Sequence, residues 1–195
     1  QREGSSCHVH LSLRELDGGA PVFADQPDVF DAFLAGQLAH VRELTLLLAP
    51  NINSYKRYAD GSFAPTAVAW GDDNRTCAMR VVGHGPGRRI ECRAPGADVN
   101  PYLALAALIA AGLDGVDRGL ELPPRCEGNA YTAQDVERLP STLRDARELF
   151  AGSALARAAF GEEVVDHYVN MADVELAAFD AFVTDWERVR GFERL

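Results

Sequence analysis

Arg88-Arg89-Ile90-Glu91-Cys92-Arg93-Ala94-Pro95-Gly96-Ala97-Asp98-Val99-Asn100-Pro101-Tyr102 is the stretch on which the rest of the chain turns. Residues 89–93 alternate strictly, so as a strand they put Arg89, Glu91 and Arg93 on one face and Ile90 and Cys92 on the other. Two guanidiniums flanking a carboxylate are either a solvated ion-pair ladder or the floor of a site, where arginines hold anions and the glutamate holds a metal. Asn100-Pro101 then opens a helix, with Asn as N-cap and Pro at its first position. Its body, Tyr102 to Leu113, is almost wholly apolar and is expected to lie buried behind the strand.

The chain has 195 residues, 47% of them hydrophobic, enough for a sizeable core. It is expected to divide into residues 1–120, carrying the site strands and the apolar helix, and residues 121–195, a helical region of the same domain. No apolar run approaches the roughly 18 residues of a membrane span, and no signal-peptide pattern is seen. The first residue is Gln1 and not Met, so the chain reads as a piece of something longer. A net charge of -10 disfavours nucleic acid and anionic membrane surfaces as partners. The basic residues are 18 arginines and one lysine, Lys56. Cys7, Cys77, Cys92 and Cys126 show no metal-finger spacing and read as reduced residues of a cytoplasmic protein.

Working outward toward the N-terminus, residues 7–13 alternate as well. They put His8, His10 and Ser12 on one face and Val9, Leu11 and Leu13 on the other. An HxH pair aims both rings the same way, as a metal or phosphate contact would need. Leu16-Asp17-Gly18-Gly19 predicts a turn and a hairpin returning through Pro21-Val22-Phe23. Asp28 caps a helix whose apolar positions run from Phe30 to Leu48, ending before Pro50. His40, inside it, reads as a surface or packing residue. Residues 51–65 form a long connection of the functional kind, with Tyr55, Lys56, Arg57 and Tyr58. Ala67–Trp70 is expected as a strand, Gly71–Asn74 as a turn and Thr76–Val82 as the return strand. Arg75 and Arg80 then share a face only if Arg75 belongs to the turn or a bulge intervenes. Toward the C-terminus, Ser141 caps a helix to Phe150, and Val165 to Trp186 forms one long amphipathic helix.

The resulting set is His8, His10, Ser12, Arg57, Arg75, Arg80, Arg89, Glu91 and Arg93. A histidine with a carboxylate suits Mg2+ or Mn2+ shared with phosphate oxygens, and several arginines suit a triphosphate beside a carboxylate substrate. With these residues in place the sequence closely resembles the glutamine synthetase family. The likeness is carried by GSSCHVHLSL (4–13), APNINSYKRY (49–58), APTAVAWGDDNRTCAMRV (64–81) and RRIECRAPGADVNPYLALAALIAAGLDGV (88–116), then GNAY (128–131) and VTDWERVRGFERL (183–195). The finer variants EGSSCH, FAPT, WGDDNR and GADVNPY resemble its γ-glutamylpolyamine synthetase-like branch.

The resemblance implies an α+β fold of the glutamine synthetase/guanido kinase type: an antiparallel sheet packed by helices, with a helical C-terminal tail. It implies an ATP-dependent ligase that joins glutamate to ammonia or an amine through γ-glutamyl phosphate, in a ring-forming homo-oligomer. By the same resemblance His8 and Glu91 are ligands of Mg2+ or Mn2+, and His10, Leu11 and Ser12 belong to an ATP-contacting strand. Gly4, Arg57 and Arg93 hold glutamate. Arg75 contacts both phosphate and glutamate, Arg80 and Arg89 contact ATP or the phosphoryl group, and Arg75 and Arg80 are the catalytic arginines. There are departures. Glu3 stands where the family has Asn, Pro86 stands at a basic nucleotide contact, and Phe63 stands at the glutamate that takes a proton from ammonium. Phe63 therefore lines an apolar amine pocket. Tyr131 falls near a tyrosine adenylylated in some members, but NAYTAQ lacks the usual continuation. The family's N-terminal half is absent, so the chain alone is expected to be inactive. Two rivals are a cupin-like barrel using Glu15 beside the histidines and a non-catalytic subunit of the same fold.

Overall fold

In the computed structural model, which describes residues 4–194, four short strands form one sheet in the order β1-β4-β3-β2. They are β1 (Val9–Leu11), β2 (Trp70–Asp72), β3 (Met79–Val82) and β4 (Arg89–Cys92). β4 pairs antiparallel with both neighbours, setting Glu91 opposite His10 on one side and Arg80 on the other. Ile90 faces Leu11 and Val81, and Cys92 faces Val9 and Met79. Since side chains alternate across a strand, one face of the sheet is apolar and the other carries His10, Glu91 and Arg80 in a row.

The sheet is mixed, which corrects the expected hairpin between β2 and β3. β2 runs parallel to β3, with Trp70 opposite Met79 and Asp72 opposite Val81. So short a parallel connection is possible because the strands are only three and four residues long. The chain doubles back at Asp73, at φ 49°. Asn74 Oδ1 then accepts the Thr76 N–H at 3.0 Å and its hydroxyl at 2.7 Å. Ala67 and Val68, read as the start of the strand, lie against 137–139 instead, with a bridge from Ala67 to Arg138. The expected return of the first hairpin shrinks to a single bridge, Arg14 to Pro21, because the next residues wind into a short helix, α1 (Val22–Asp25).

The apolar face of the sheet is covered by α2 (Pro27–His40) and α4 (Pro101–Arg118). Phe30, Phe33, Leu34 and Leu108 pack on Met79, Ile90 and Cys92, all of them buried. Pro27 opens α2 with Gln26 at the cap position, in place of Asp28. The helix stops at His40 instead of running to Leu48. After a turn the chain resumes as α3 (Thr45–Leu48). Here the Thr45 hydroxyl donates to the Val41 carbonyl at 2.7 Å and Thr45 N–H reaches only to Arg42 O, which tightens and bends the chain. α2 and α4 meet at glycines. A Cβ on Gly36 would stand 2.2 Å from Ala111 O, and one on Gly115 would stand 2.1 Å from Ala32 O. α4 begins as expected: Asn100 Oδ1 accepts the Tyr102 N–H at 3.0 Å, and Pro101 takes the first position. Only one side of it is buried. Tyr102, Leu105, Ile109 and Leu113 are exposed.

A second core joins α3 and α4 to α5 (Leu143–Ala151), α6 (Ala154–Phe160) and α7 (Glu162–Asp180), around Leu44, Leu47, Leu143, Phe150 and Val165. Thr142, and not Ser141, caps α5, accepting the Asp145 N–H at 3.1 Å. The expected long tail helix is two: α7 ends near Ala181, and α8 (Asp185–Arg194) restarts behind a cap. Thr184 Oγ1 accepts the Glu187 N–H, and Glu187 accepts the Thr184 N–H at 2.6 Å. All four cysteines are free thiols, Cys77 and Cys92 buried and Cys7 and Cys126 half-buried. Among the described residues no helix is long and apolar enough to cross a membrane.

Candidate active site

Glu91 is the hub of the polar face. Its residue is 2% exposed, and both carboxylate oxygens are occupied. Arg80 Nη1 donates to Oε2 at 2.7 Å, Arg93 Nη1 to Oε1 at 2.7 Å, and His8 Nδ1 lies 2.8 Å from Oε1. Burial works to raise the Glu91 pKa, but the Arg80 and Arg93 guanidiniums outweigh it and hold the carboxyl below its ordinary value. The His8 pKa is lowered by burial and by the Arg93 charge, against the pull of Glu91, which favours the neutral ring that a metal needs. Arg80 is steadied from its far side by Asp73, through Nε at 3.0 Å and through Nη2. Arg93, 4% exposed, also donates to the Phe63 carbonyl at 3.2 Å, and its Nε has no partner.

Arg57 stands beside this cluster at the end of a 3-10 turn, Ile52–Arg57. It lines a pocket of roughly 340 Å³ with Gly4, Ser54 and Asp98. A side chain on Gly4 would come within 2.9 Å of Arg57 Cγ, so glycine lets the segment before β1 lie close against the arginine. Arg57 Nη2 donates to the Ala94 carbonyl, its guanidinium lies over the Tyr58 ring at 5.1 Å, and no carboxylate among the described residues pairs with it. Asp98 is turned away and held by Ser54 Oγ at 2.6 Å and Asn51 Nδ2 at 2.9 Å. Burial would raise its pKa, and these donors with the Arg57 charge bring it down. A half-buried guanidinium whose buried Nε lacks a partner, in an open pocket, can take a carboxylate.

The remaining residues spread along the same face. Arg89 Nε reaches His10 Nδ1 at 3.3 Å. Ser12 is exposed beyond the end of β1, whereas the Leu11 side chain packs on the core, so Leu11 can offer a ligand only its backbone. Arg75 is exposed in the 73–78 loop between β2 and β3, on neither strand, so strand alternation does not set it against Arg80. Phe63, 59% exposed, sits at φ 59° in the 60–65 loop. Glu3 lies outside the described residues. Glu15 accepts from Gln26 Nε2 at 2.6 Å and is not paired with His8 or His10, which overturns the cupin-like alternative. Asp73 and Asp98 were not singled out by sequence, since Asp73 acts by steadying Arg80 and Asp98 by tying down the turn that begins at Asn51. His40, expected to be ordinary, is clamped between two carboxylates away from the site, with Glu43 at 2.5 Å and Asp114 at 2.7 Å.

His8 and Glu91 fit a shared divalent cation in part. Two donors bound at right angles roughly 2.1 Å from one ion stand roughly 3 Å apart, close to the 2.8 Å between His8 Nδ1 and Glu91 Oε1. Among the described residues no third His, Cys, Asp or Glu joins them. Two guanidiniums already neutralise Glu91, so a dication here needs anionic oxygens from elsewhere, such as phosphate.

The family described as glutamine synthetase, catalytic domain, matches residues 1–190. γ-Glutamylethanolamide synthetase GlnA4 of Streptomyces coelicolor is 63% identical over 195 residues, spanning 99% of this chain and 42% of that protein. Type-1 glutamine synthetase 2 of Dictyostelium discoideum is 42% identical, spanning 97% of this chain and 38% of its own length. Among solved structures, a GmaS/ADP complex superposes with a TM-score of 0.87 at 29% identity, over 97% of this chain and 46% of that one. The chain thus spans less than half the length of the curated relatives it matches.

Proposed function

The chain belongs to the glutamine synthetase family, and from that premise we propose that it is the catalytic portion of an ATP-dependent ligase joining glutamate to an organic amine. In the proposed reaction the glutamate γ-carboxylate takes the γ-phosphoryl group of ATP, releasing ADP. The amine nitrogen then attacks the acyl carbon, phosphate leaves and the nitrogen gives up a proton. The observation that carries the reading is the buried Glu91 carboxylate, shared by His8, Arg80 and Arg93 beside an Arg57 with no anionic partner.

In this reading Gly4, Arg57 and Arg93 hold glutamate. Arg75, Arg80 and Arg89 face the polyphosphate along the strand bearing His10, Leu11 and Ser12. Arg75 and Arg80 offset the charge that develops as the phosphoryl group moves. His8 and Glu91 would hold Mg2+ or Mn2+, which when bound draws charge from phosphate oxygens. The intact protein is read as a ring-forming homo-oligomer.

The amine is assigned from Phe63. An exposed ring on the loop beside Arg93 offers no proton acceptor, and suits a nitrogen carried on a hydrocarbon stem. The 63% identity to a γ-glutamylethanolamide synthetase favours ethanolamine over a polyamine. The test is phosphate release by the full-length polypeptide with glutamate, ATP and, in turn, ethanolamine, putrescine, spermine or ammonium. An organic amine should be preferred, and Phe63→Glu should move preference toward ammonium. If ammonium supports normal turnover and wins, Asp60 on the same loop becomes the proton acceptor to examine, and the organic-amine reading fails.

A further inference from the structure

Phe63 holds a left-handed backbone, φ 59°, that a residue with a Cβ adopts only under strain. Burial does not compensate, since the side chain is 59% exposed. The conformation is held by hydrogen bonds on either side of it. Arg93 Nη2 donates to the Phe63 carbonyl at 3.2 Å, and the Tyr131 hydroxyl donates to the next carbonyl, Ala64, at 3.0 Å. Ser62 closes the loop on itself, accepting the Ala64 N–H at 3.2 Å and donating to Ala59 O at 2.5 Å. Arg93 is already committed to Glu91. Tyr131 is the donor that comes from outside the polar face.

Tyr131 is itself firmly placed. Its N–H is accepted by Asn129 Oδ1 at 3.0 Å, and the neighbouring Ala130 N–H donates to Thr76 Oγ1 at 2.9 Å. Thr76 follows Arg75 in the loop that also carries Asp73. A single 3-10 turn, Ala130–Thr132, therefore braces both the Phe63 loop and the arginine loop. Burial raises the pKa of the Tyr131 hydroxyl, keeping it a proton donor through the neutral range.

We propose that Tyr131 is a positioning residue for amine selection: its hydroxyl fixes the Ala64 carbonyl, and through it the left-handed backbone that aims the Phe63 ring. This rests on reading Phe63 as the wall of the amine pocket. Tyr131 touches none of the reacting atoms, so its loss should alter selection and leave the hold on ATP and glutamate intact.

The experiment compares Tyr131→Phe with wild type in the full-length polypeptide by two measurements. Hydrogen exchange of segment 59–66 should rise, because one of the two carbonyl latches is gone. The KM for the preferred amine should rise about tenfold, the worth of one hydrogen bond at its upper range, with the KM values for ATP and glutamate within about twofold of wild type. Phe63→Gly supplies the control, since glycine adopts this φ freely. Adding Tyr131→Phe to Phe63→Gly should change the exchange of the loop far less than it does in wild type. Unchanged exchange in Tyr131→Phe overturns the latch and leaves the Phe63 pocket standing. Faster exchange with an unmoved amine KM overturns the selective role of Tyr131, while the Phe63 pocket stands or falls separately on the amine preference of Phe63→Glu. Equal rises in all three KM values reduce Tyr131 to a general structural residue and also overturn the proposal.

Discussion

Glu91→Ala would leave Arg93 buried with no carboxylate, while Arg80 keeps Asp73. Removing one partner of a buried pair costs about 3–5 kcal/mol, and urea unfolding of this chain should show a loss of about that size. Glu91→Gln, which keeps a hydrogen-bond acceptor, should lose less. The acid limb checks the cause. Arginine charges hold the Glu91 pKa below its ordinary 4.5, so its contribution is present above pH 4.5 and fades as pH falls toward the folded pKa. Wild type and Glu91→Ala should therefore converge in stability on acidification. A constant gap would assign the loss to packing.

Between elements, the contact that joins α2 to α4 is part glycine and part histidine. His40 Nδ1 meets Glu43, its Nε2 meets Asp114, and Arg118 Nη1 donates to the same Asp114 oxygen at 3.0 Å. The Glu43 hydrogen bond raises the His40 pKa above 6.5, against burial, and Asp114 adds to the rise. A raised histidine stabilises most below the unfolded value of 6.5, and the benefit is lost as pH rises through the folded pKa. His40→Gln should cost about 1–2 kcal/mol at pH 6, where both charged hydrogen bonds are made, and clearly less at pH 9. A pH-independent cost would rule out the charged clamp. Much of this level was legible beforehand. The alternation of residues 7–13 and 89–93 set the polar face of the sheet, and Asn100-Pro101 set the start of α4. The break at Thr184 was written as a Thr-x-x-Glu capping box inside an apolar periodicity that masked it. The parallel β2–β3 pairing was not legible, because it depends on Asp73 adopting a positive φ, which a Gly-Asp-Asp-Asn turn permits without demanding. The His40 clamp was hidden because Asp114 lies across a helix contact.

For the molecule as a whole, the polar face has more cationic than anionic side chains, though the net charge is -10. His8 and Glu91, the proposed pair of metal donors, have no third His, Cys, Asp or Glu beside them among the described residues. Mn2+ titrated into this chain alone, with or without ATP, should bind no tighter than about 0.1 mM, and phosphate release should be absent. Tight binding, or turnover by this chain, would refute the assignment of His8 and Glu91 as half of a site. The lone lysine has a consequence of a different kind. Lys56 is exposed in the 3-10 turn next to Arg57. A lysine-specific protease can therefore nick the described chain only after residue 56, splitting it into 1–56 and 57–195, and a ligand that stiffens that turn would register as a slower appearance of two bands on a gel.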